Sequence, residues 1–290
     1  MNKPAFVVLL YYKYIDIKNP QEVRDNQIKL CQSLDLKGRI IIAKEGINGT
    51  VEGTTRNTEK YMKAMKKYNI SFKKSFGNGS SFPKLSVKVR PEIVASKVEV
   101  NPNKNSGKYI NADKLNEWFE KSRKFFIVDM RNDYEQFSGF FENSVFSGMH
   151  NFSQLASVLP RLKHLKNKTV VTVCTGGVRC EKASGFLKLN GFSDVYQLKD
   201  GIQSYMEKYP DQKFKGRLYV FDNRLTIGFD NRLDREIVGR CMHCGKEAED
   251  YVNCSYDFCH YHYICCKTCR DRATKLAFCK PDCKEKYLQK

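Results

Sequence analysis

Residues 170–180 read VVTVCTGGVRC and place a cysteine at the end of an apolar run, before two glycines and an arginine. The run is typical of a buried strand, and the residues after Arg179 are typical of a helix. Two glycines permit a tight turn with inward-pointing backbone amides, and such a turn before a helix binds anions. With Arg179 beside it, the turn would stabilise the thiolate of Cys174. The pattern predicts an activated cysteine nucleophile, with a buried structural cysteine as the alternative.

Four further residues are expected to support this loop. Cys180 could resolve a persulfide or sulfenate on Cys174 as a disulfide, or could simply pack its helix on the sheet. Asp129 ends another predicted strand and could form an ion pair with Arg131 that organises the loop, although such an Asp is also common in turns. Glu181 is expected to cap the helix and offset its dipole. The predicted site has Cys174 and Arg179 as catalytic residues, supported by Thr175, Gly176, Gly177, Val178, Cys180, Asp129 and Arg131.

Nine of the twelve cysteines lie in the last fifty residues of the chain. They include pairs spaced Cys-x2-Cys or Cys-x3-Cys, by which a turn presents two sulfurs to one tetrahedral ion. A region this short with few aliphatic residues also needs such a staple to fold. We therefore expect structural zinc, with disulfides as the alternative. One ion would take Cys241, Cys244, Cys266 and Cys269, and another would take Cys254, Cys259 or His260, Cys279 and Cys283.

The positive charge of the chain is heaviest in its first third. The whole chain has 51 Lys and Arg against 32 Asp and Glu, a net charge of +19, and residues 1–95 hold 18 basic and 8 acidic residues. This surplus exceeds what solubility needs and favours RNA as a partner, because phosphate contacts drive such binding. The aromatic residues interleaved with the basic ones follow the helix period, which favours the core over base stacking. The candidate RNA contacts are Arg56, Lys60, Lys63, Lys66, Lys67, Lys73 and Lys74.

The N-terminal third predicts a small α+β domain. Its elements are a strand at 6–12, a helix from Pro20 to about Leu36, a strand at 39–43, a hairpin at Asn48-Gly49 into 50–52, a helix at 58–68 and a strand at 85–89. Asn-Gly is a strong hairpin signal, and Asn followed by Pro is a helix-start signal. The order βαββαβ is the ferredoxin-like arrangement.

The middle of the chain predicts a parallel sheet. Strands at 125–129, 169–174 and 195–198 alternate with helices near 111–122, 153–166 and 179–190, and such alternation implies crossover helices. Ligand sites in these sheets lie beyond the carboxyl ends of the strands, where Asp129 and Cys174 stand. The chain is thus a multidomain protein of α+β and α/β parts. We expect a ferredoxin-like domain at 1–95, a linker at 96–107, an α/β domain at 108–215 and a cysteine-rich region at 216–290.

The composition excludes several classes of protein. No apolar run approaches the roughly 20 residues that cross a bilayer, and the apolar stretch 5–12 lacks a cleavage site for a secretory signal. We therefore expect a cytoplasmic protein without membrane contact, in which reduced thiols serve catalysis or metal binding. The pentapeptide FDNRL occurs at 221–225 and again at 229–233, which suggests a hairpin and no repeat architecture.

Three stretches together resemble a known family. The sequence VDMRNDYEQFSGFFENSV at 128–145, followed by CTGGVR at 174–179, resembles a rhodanese domain, whose active loop is one residue shorter than that of tyrosine phosphatases. With KEGINGT at 44–50, CTGGVRCEKAS at 174–184 and the cysteine-rich tail, the chain resembles the bacterial rhodanese-like tRNA uridine hydroxylases. The resemblance implies a rhodanese fold for the α/β domain and an acylphosphatase or ferredoxin-like fold for the N-terminal domain.

The resemblance also implies an activity. Members of that family install 5-hydroxyuridine at the wobble position of tRNA in an oxygen-dependent reaction, and Cys174 and Arg179 match the active cysteine and loop arginine. Two alternatives stay open: a rhodanese-type sulfurtransferase that carries a cysteine persulfide, and a non-enzymatic RNA-binding module. No iron, haem or dinucleotide motif is evident, so the redox cofactor stays unknown and zinc is the cofactor predicted. The expected partners are tRNA and a sulfur-donor or electron-donor protein; the oligomeric state is not indicated.

Overall fold

The N-terminal domain is built on a five-stranded sheet. The computed structural model describes residues 4–229, 236–270 and 274–289 of the chain. The elements of this domain are β1 (Phe6–Tyr14), α1 (Pro20–Ser33), β2 (Lys37–Ala43), β3 (Gly46–Thr54), α2 (Thr55–Ala64), a 3-10 turn (Met65–Tyr68), β4 (Ser71–Gly77) and β5 (Leu85–Val89). The strand order is β4-β1-β3-β2-β5, and β2 pairs parallel with β5 while the other pairs are antiparallel. The first four strands have the ferredoxin-like order, which confirms the predicted fold class.

Two details of the predicted N-terminal domain are wrong. The strand that closes the ferredoxin-like unit is β4, which the sequence reading missed, whereas the predicted strand β5 is an extra strand at the opposite edge. Asn48-Gly49 is not a hairpin turn, because both residues lie inside β3 and the turn is Lys44-Glu45. Gly49 instead makes room for a neighbouring ring, since a Cβ there would lie 2.4 Å from the hydroxyl of Tyr11.

Both helices of this domain pack on one face of the sheet. Helix α1 begins as predicted, with the Asn19 side chain accepting a hydrogen bond from the backbone N–H of Glu22 and Pro20 in the first turn. Tyr61 and Met65 are fully buried between the helices and the sheet. The aromatic residues of the basic segment therefore belong to the core, as their spacing predicts.

The central domain has a second five-stranded sheet, which is parallel. Its elements are α3 (Pro102–Asn105), β6 (Lys108–Ile110), α4 (Ala112–Glu120), β7 (Phe126–Asp129), α5 (Asp133–Gln136), β8 (Gly139–Phe141), β9 (Val145–Phe146), two 3-10 turns (Phe152–Val158, Lys163–Leu165) around α6 (Leu159–Leu162), β10 (Thr169–Val173), α7 (Val178–Leu189), β11 (Asp194–Leu198), α8 (Gly201–Lys208) and β12 (Phe214–Gly216). The strand order is β6-β11-β10-β7-β9, with every pair parallel. Separate apolar cores cover its two faces. This arrangement confirms the predicted crossover topology.

The segment predicted as a linker is ordered against the central domain. Part of it forms the short helix α3, and the backbone N–H of Gly107 donates to the Ser184 hydroxyl of α7 at 2.8 Å. The Ser106 hydroxyl donates to the Glu181 carboxylate of the same helix at 2.9 Å. The segment therefore connects the two domains and also packs on the helix that follows the candidate loop.

The C-terminal region has little regular structure. It contains β13 (Leu218–Tyr219), β14 (Thr226–Ile227), β15 (Tyr251–Asn253), β16 (His262–Ile264) and α9 (Pro281–Leu288). The first FDNRL copy, 221–225, forms the loop between the paired strands β13 and β14, and most of the second copy lies outside the described residues. Among the described helices, none is long and apolar enough to cross a membrane.

Candidate functional site

Cys174 follows the last residue of β10, and the loop 175–177 leads directly into α7. Gly177 has a φ of +99°, which favours glycine, and its backbone N–H donates to the Cys174 sulfur at 3.2 Å. Thr175, Gly176 and Val178 complete the turn around this sulfur. The backbone dipoles at the start of α7 thus face a potential anion.

The environment of Cys174 favours its thiolate. Burial raises the pKa of this thiol, but hydrogen bonds from Cys180 and from the backbone of Gly177, with the positive charge of Arg179, outweigh burial and hold the pKa below its usual value. Burial, followed by the adjacent Cys174 sulfur, raises the pKa of Cys180 well above its usual value. Of this buried pair, Cys174 is the sulfur that carries the charge.

Arg179 is held in place by Glu135. Its Nη2 donates to Glu135 Oε2 at 2.8 Å, its Nη1 pairs with Oε1, and its Nη2 also reaches the Thr175 hydroxyl at 3.2 Å. Glu135 is fully buried in α5. Sequence reasoning left this carboxylate out of the candidate site, although it lies within the rhodanese-like stretch 128–145.

The predicted ion pair between Asp129 and Arg131 is present and fully buried, with 2.6 Å between Oδ2 and Nη2. Among the described residues, no hydrogen bond joins Arg131 to the cysteine loop. Its guanidinium instead donates to the backbone carbonyls of Glu135 at 3.0 Å and Gly139 at 2.8 Å. The pair therefore shapes the turn that carries Glu135 and acts on Arg179 through it.

Strand β1 of the N-terminal domain covers the loop. A Cβ on Gly176 would lie 2.6 Å from the Leu10 side chain, and one on Gly177 would lie 2.8 Å from the Tyr12 hydroxyl. Cys174 has no exposed surface as a result. The Tyr12 hydroxyl also donates a hydrogen bond of 2.9 Å to the carboxylate of Glu181.

Glu181 has a different role from the predicted helix cap. Its carboxylate accepts hydrogen bonds from four side chains drawn from both domains and the connecting segment, and α7 has no side-chain cap. The four donors are Tyr12, Ser106, Tyr109 and Gln197. Glu181 therefore ties the covering strand to the central domain.

Buried lysines also lock the two domains together. Lys182 of α7 lies between Glu45 at 2.8 Å and Glu92 at 2.7 Å, with 2% of its side chain exposed. Lys73 of β4 pairs with Asp200 at 2.9 Å and is 5% exposed. Its prediction as a surface RNA contact is therefore wrong, because the ion pair and the domain interface bury it.

The other predicted RNA contacts are exposed. They lie on α2, on the turn after it and on β4, and their charged ends face solvent while the aromatic residues between them face the core. These residues are Arg56, Lys60, Lys63, Lys66, Lys67 and Lys74.

The cysteines of the C-terminal region form two groups of four that could each hold a metal ion. Within each group the sulfurs lie within 4.8 Å of one another: Cys241, Cys244, Cys266 and Cys269, and Cys254, Cys259, Cys279 and Cys283. The two sulfurs lie 3.7 Å apart in Cys244–Cys266 and 3.5 Å apart in Cys259–Cys279. A tetrahedral ion with Zn–S bonds of about 2.3 Å places sulfurs about 3.8 Å apart. These separations exceed the S–S bond of about 2.0 Å in a disulfide, so each group has an arrangement that could hold a metal ion.

The sequence left either Cys259 or His260 as a ligand in the second group. Cys259 belongs to it, whereas His260 is exposed and belongs to neither group among the described residues, so His260 as a ligand is wrong. The ring nitrogens of His262 form hydrogen bonds with the Tyr219 hydroxyl and the Asn253 side chain, and His262 belongs to neither cysteine group.

Comparisons with known proteins divide the chain in three. Residues 6–93 match the family described as UPF0176 acylphosphatase like domain, residues 111–208 match Rhodanese-like domain, and residues 215–284 match Rhodanase C-terminal. A solved rhodanese-like domain protein from Staphylococcus aureus is 28% identical over 34% of this chain and 90% of its own, with a TM-score of 0.30.

Relatives that match most of this chain include proteins named tRNA uridine(34) hydroxylase. A tRNA uridine(34) hydroxylase of Aster yellows witches'-broom phytoplasma is 41% identical over 90% of this chain and 87% of its own length. Proteins of the same name from Bacillus cytotoxicus and Cytophaga hutchinsonii are 39% and 38% identical over 97% and 96% of this chain, and over 89% and 90% of their own.

Proposed function

This chain belongs to the tRNA uridine(34) hydroxylase family, and on that premise we propose that it adds a hydroxyl group to uridine 34 of tRNA. The product implied by the resemblance is 5-hydroxyuridine. The oxidant implied by the resemblance is dioxygen, with an electron-donor or sulfur-donor protein as a further partner. The cytoplasm is the proposed place of action.

Cys174 is the proposed reactive group, and one observation carries this assignment. Of the three cysteines outside the C-terminal region, Cys174 is the one whose pKa is lowered, whereas burial raises the pKa of Cys31 to about 12 and that of Cys180 well above its usual value. A thiolate at neutral pH is the form that acts as a nucleophile or carries a persulfide. Arg179 stabilises this charge, and Glu135 positions Arg179.

We propose that the N-terminal domain binds tRNA and that zinc stabilises the C-terminal region. The exposed basic residues of α2 and β4 contact tRNA phosphates, while each cysteine group holds one structural zinc ion, since closed sites of four thiolates are structural. The proposed boundaries are a ferredoxin-like domain at 1–95, a connecting segment at 96–107, a rhodanese domain at 108–215 and the zinc-bound region at 216–290.

Nucleoside mass spectrometry of tRNA tests the proposed function. A deletion strain is complemented with the wild-type chain, with Cys174→Ser, or with Cys31→Ser as a matched buried cysteine. We expect the hydroxyuridine-derived nucleoside with the wild-type chain and Cys31→Ser, and its loss with Cys174→Ser. Full modification by Cys174→Ser would refute the role of this sulfur and favour a binding module. Unchanged modification in the deletion strain, with loss of thiosulfate sulfur transfer, would favour a sulfurtransferase.

A further inference from the structure

A cleft of about 440 Å³ opens where the three parts of the chain meet. Its walls include Arg39 from β2, Tyr134 and His150 from the central domain, and Phe221, Asn253 and His260 from the C-terminal region. We call it the junction cleft. Its volume lies in the range of roughly 300–1,000 Å³ that is usual for ligand pockets. No residue of the cleft belongs to the cysteine loop itself.

The junction cleft shares a wall with the candidate active site. The centre of the Phe221 ring lies 5.7 Å from the guanidinium carbon of Arg179. Phe221 is 46% exposed, so a ligand can reach its ring. Tyr134 immediately precedes Glu135, the partner of Arg179. A ligand stacked on Phe221 would therefore lie one aromatic ring away from the arginine beside Cys174.

The lining of the cleft is suited to unpaired nucleotides. Aromatic and imidazole rings offer stacking faces, and amide side chains read base edges. Arg39 is exposed and donates a long hydrogen bond of 3.4 Å to the carbonyl of Phe221, so its charge is available to a phosphate. Asp222, which also lines the cleft, is neutralised by Arg224 at 2.6 Å.

The C-terminal region completes this cleft. The Tyr251 hydroxyl donates to the Tyr134 carbonyl at 2.6 Å, which ties β15 to the turn that holds Glu135. His260 directly follows Cys259 of the second cysteine group, and Tyr261 stacks on His150 with 5.6 Å between ring centres. The metal-binding region thus forms one wall of a surface that the other two domains leave open.

We propose that the junction cleft binds the unpaired anticodon nucleotides next to uridine 34, with one base stacked on Phe221 and one phosphate at Arg39. This inference rests on the proposed function, which supplies the identity of the RNA. It assigns the cleft a role in substrate binding that is separate from the exposed lysines of α2 and β4.

Binding of an anticodon stem-loop RNA tests the stacking half of this proposal. Phe221→Leu is compared with Phe146→Leu, because Phe146 is 43% exposed and packs edge-to-face on Phe140, with 5.6 Å between ring centres. We expect Phe221→Leu to weaken binding about 5-fold or more, and Phe221→Tyr to restore it. We expect Phe146→Leu to stay within about 2-fold of the wild-type chain. Equal affinities of Phe221→Leu and Phe146→Leu would overturn the proposal.

The salt dependence of binding tests the phosphate half. Arg39→Gln is compared with Arg90→Gln, since Arg90 is also an exposed arginine of the N-terminal domain with a hydrogen bond to a backbone carbonyl. Losing one phosphate contact on a single strand lowers the slope of log affinity against log salt by about 0.7. We expect this decrease for Arg39→Gln with the stem-loop and not with an RNA duplex of the same length. An unchanged slope for Arg39→Gln would contradict the proposed contact.

These experiments distinguish failure of the cleft proposal from failure of the proposed function. Cys174→Ser should bind the stem-loop like the wild-type chain and form no hydroxyuridine. If the wild-type chain forms hydroxyuridine and Phe221→Leu binds normally, the cleft proposal is wrong and the function stands. If Phe221→Leu weakens binding but the wild-type chain forms no hydroxyuridine, the function is wrong and the RNA cleft stands.

Discussion

The guanidinium of Arg179 is bound by the carboxylate of Glu135, which lies 44 residues earlier in the chain. Both side chains are buried, so each is the other's main compensation for lost hydration. Glu135 is itself fixed by the turn that Arg131 and Asp129 organise. The arginine beside the Cys174 sulfur is thus positioned by two successive ion pairs.

Glu135→Gln should destabilise the central domain. It removes the carboxylate that pairs with the buried charge of Arg179, which costs about 3 to 5 kcal/mol in the free energy of unfolding. Urea unfolding measures this change. Glu99→Gln, the same change at an exposed carboxylate, should lie within about 0.5 kcal/mol of the wild-type chain. Similar midpoints for the two variants would show that the ion pair contributes nothing to stability.

Arg179→Gln, which removes the charge beside Cys174, should shift the pH dependence of activity. Burial raises and Arg179 lowers the pKa of Cys174, so without the arginine that pKa rises and the thiolate forms only at higher pH. The acidic limb of the pH profile for kcat/KM should move upward by about 1 to 3 pH units. The double variant Arg179→Gln with Glu135→Gln avoids an unpaired buried carboxylate and should show the same direction. An unmoved acidic limb in both variants would argue against the thiolate.

The domain interface should weaken in acid through Glu92. Burial raises its pKa, but hydrogen bonds from Lys182 and Ser96 outweigh this and lower it from 4.5 to about 2. A carboxylate with a lowered pKa stabilises the fold above its ordinary pKa and loses that effect as the pH falls through the folded value. The stability difference between the wild-type chain and Glu92→Gln should therefore shrink from pH 4.5 towards pH 2. A difference that stays constant over this window would contradict the assigned ion pair.

The cysteine groups should hold two zinc ions per chain. Elemental analysis should find one ion lost in Cys266→Ser and the other lost in Cys283→Ser, because each removes one ligand of a separate group. Cys265→Ser is the matched control, since Cys265 is buried in the same region but belongs to neither group. His260→Ala should also keep both ions. Chelation should expose the C-terminal region to proteolysis, because the binding energy of structural zinc is folding energy. Full metal content in Cys283→Ser would refute the second site.

Two adjacent lysines should behave in opposite ways. Lys73→Gln removes a buried partner of Asp200 and should lower the free energy of unfolding by about 1 to 3 kcal/mol. Lys74→Gln changes an exposed residue and should leave stability unchanged while lowering the salt dependence of tRNA binding. Unfolding and binding curves of both variants decide the matter. A weaker salt dependence in Lys73→Gln at unchanged stability would restore its prediction as an RNA contact.

Local patterns were sufficient for several features of this protein. The strand–Cys-Gly-Gly-Arg–helix order identifies the candidate loop, because a turn before a helix is built from consecutive residues. Cysteine spacing likewise pairs Cys241 with Cys244 and Cys266 with Cys269, since a short turn presents two sulfurs together. Only the fold brings the two pairs into one group. Helical periodicity correctly assigns Tyr61 and Met65 to the core.

Other features were decided by contacts between distant parts of the chain. The partner of Arg179, the cover that β1 places over Cys174, and the burial of Lys73 by Asp200 all join residues that no local pattern relates. Asn48-Gly49 reads as a turn locally, but strand pairing on both sides of β3 keeps it extended. The sequence alone therefore determined which sulfur and which loop are the candidates for the chemistry. Only the packing of the three domains decided what surrounds them, because burial and ion pairing depend on which surfaces meet.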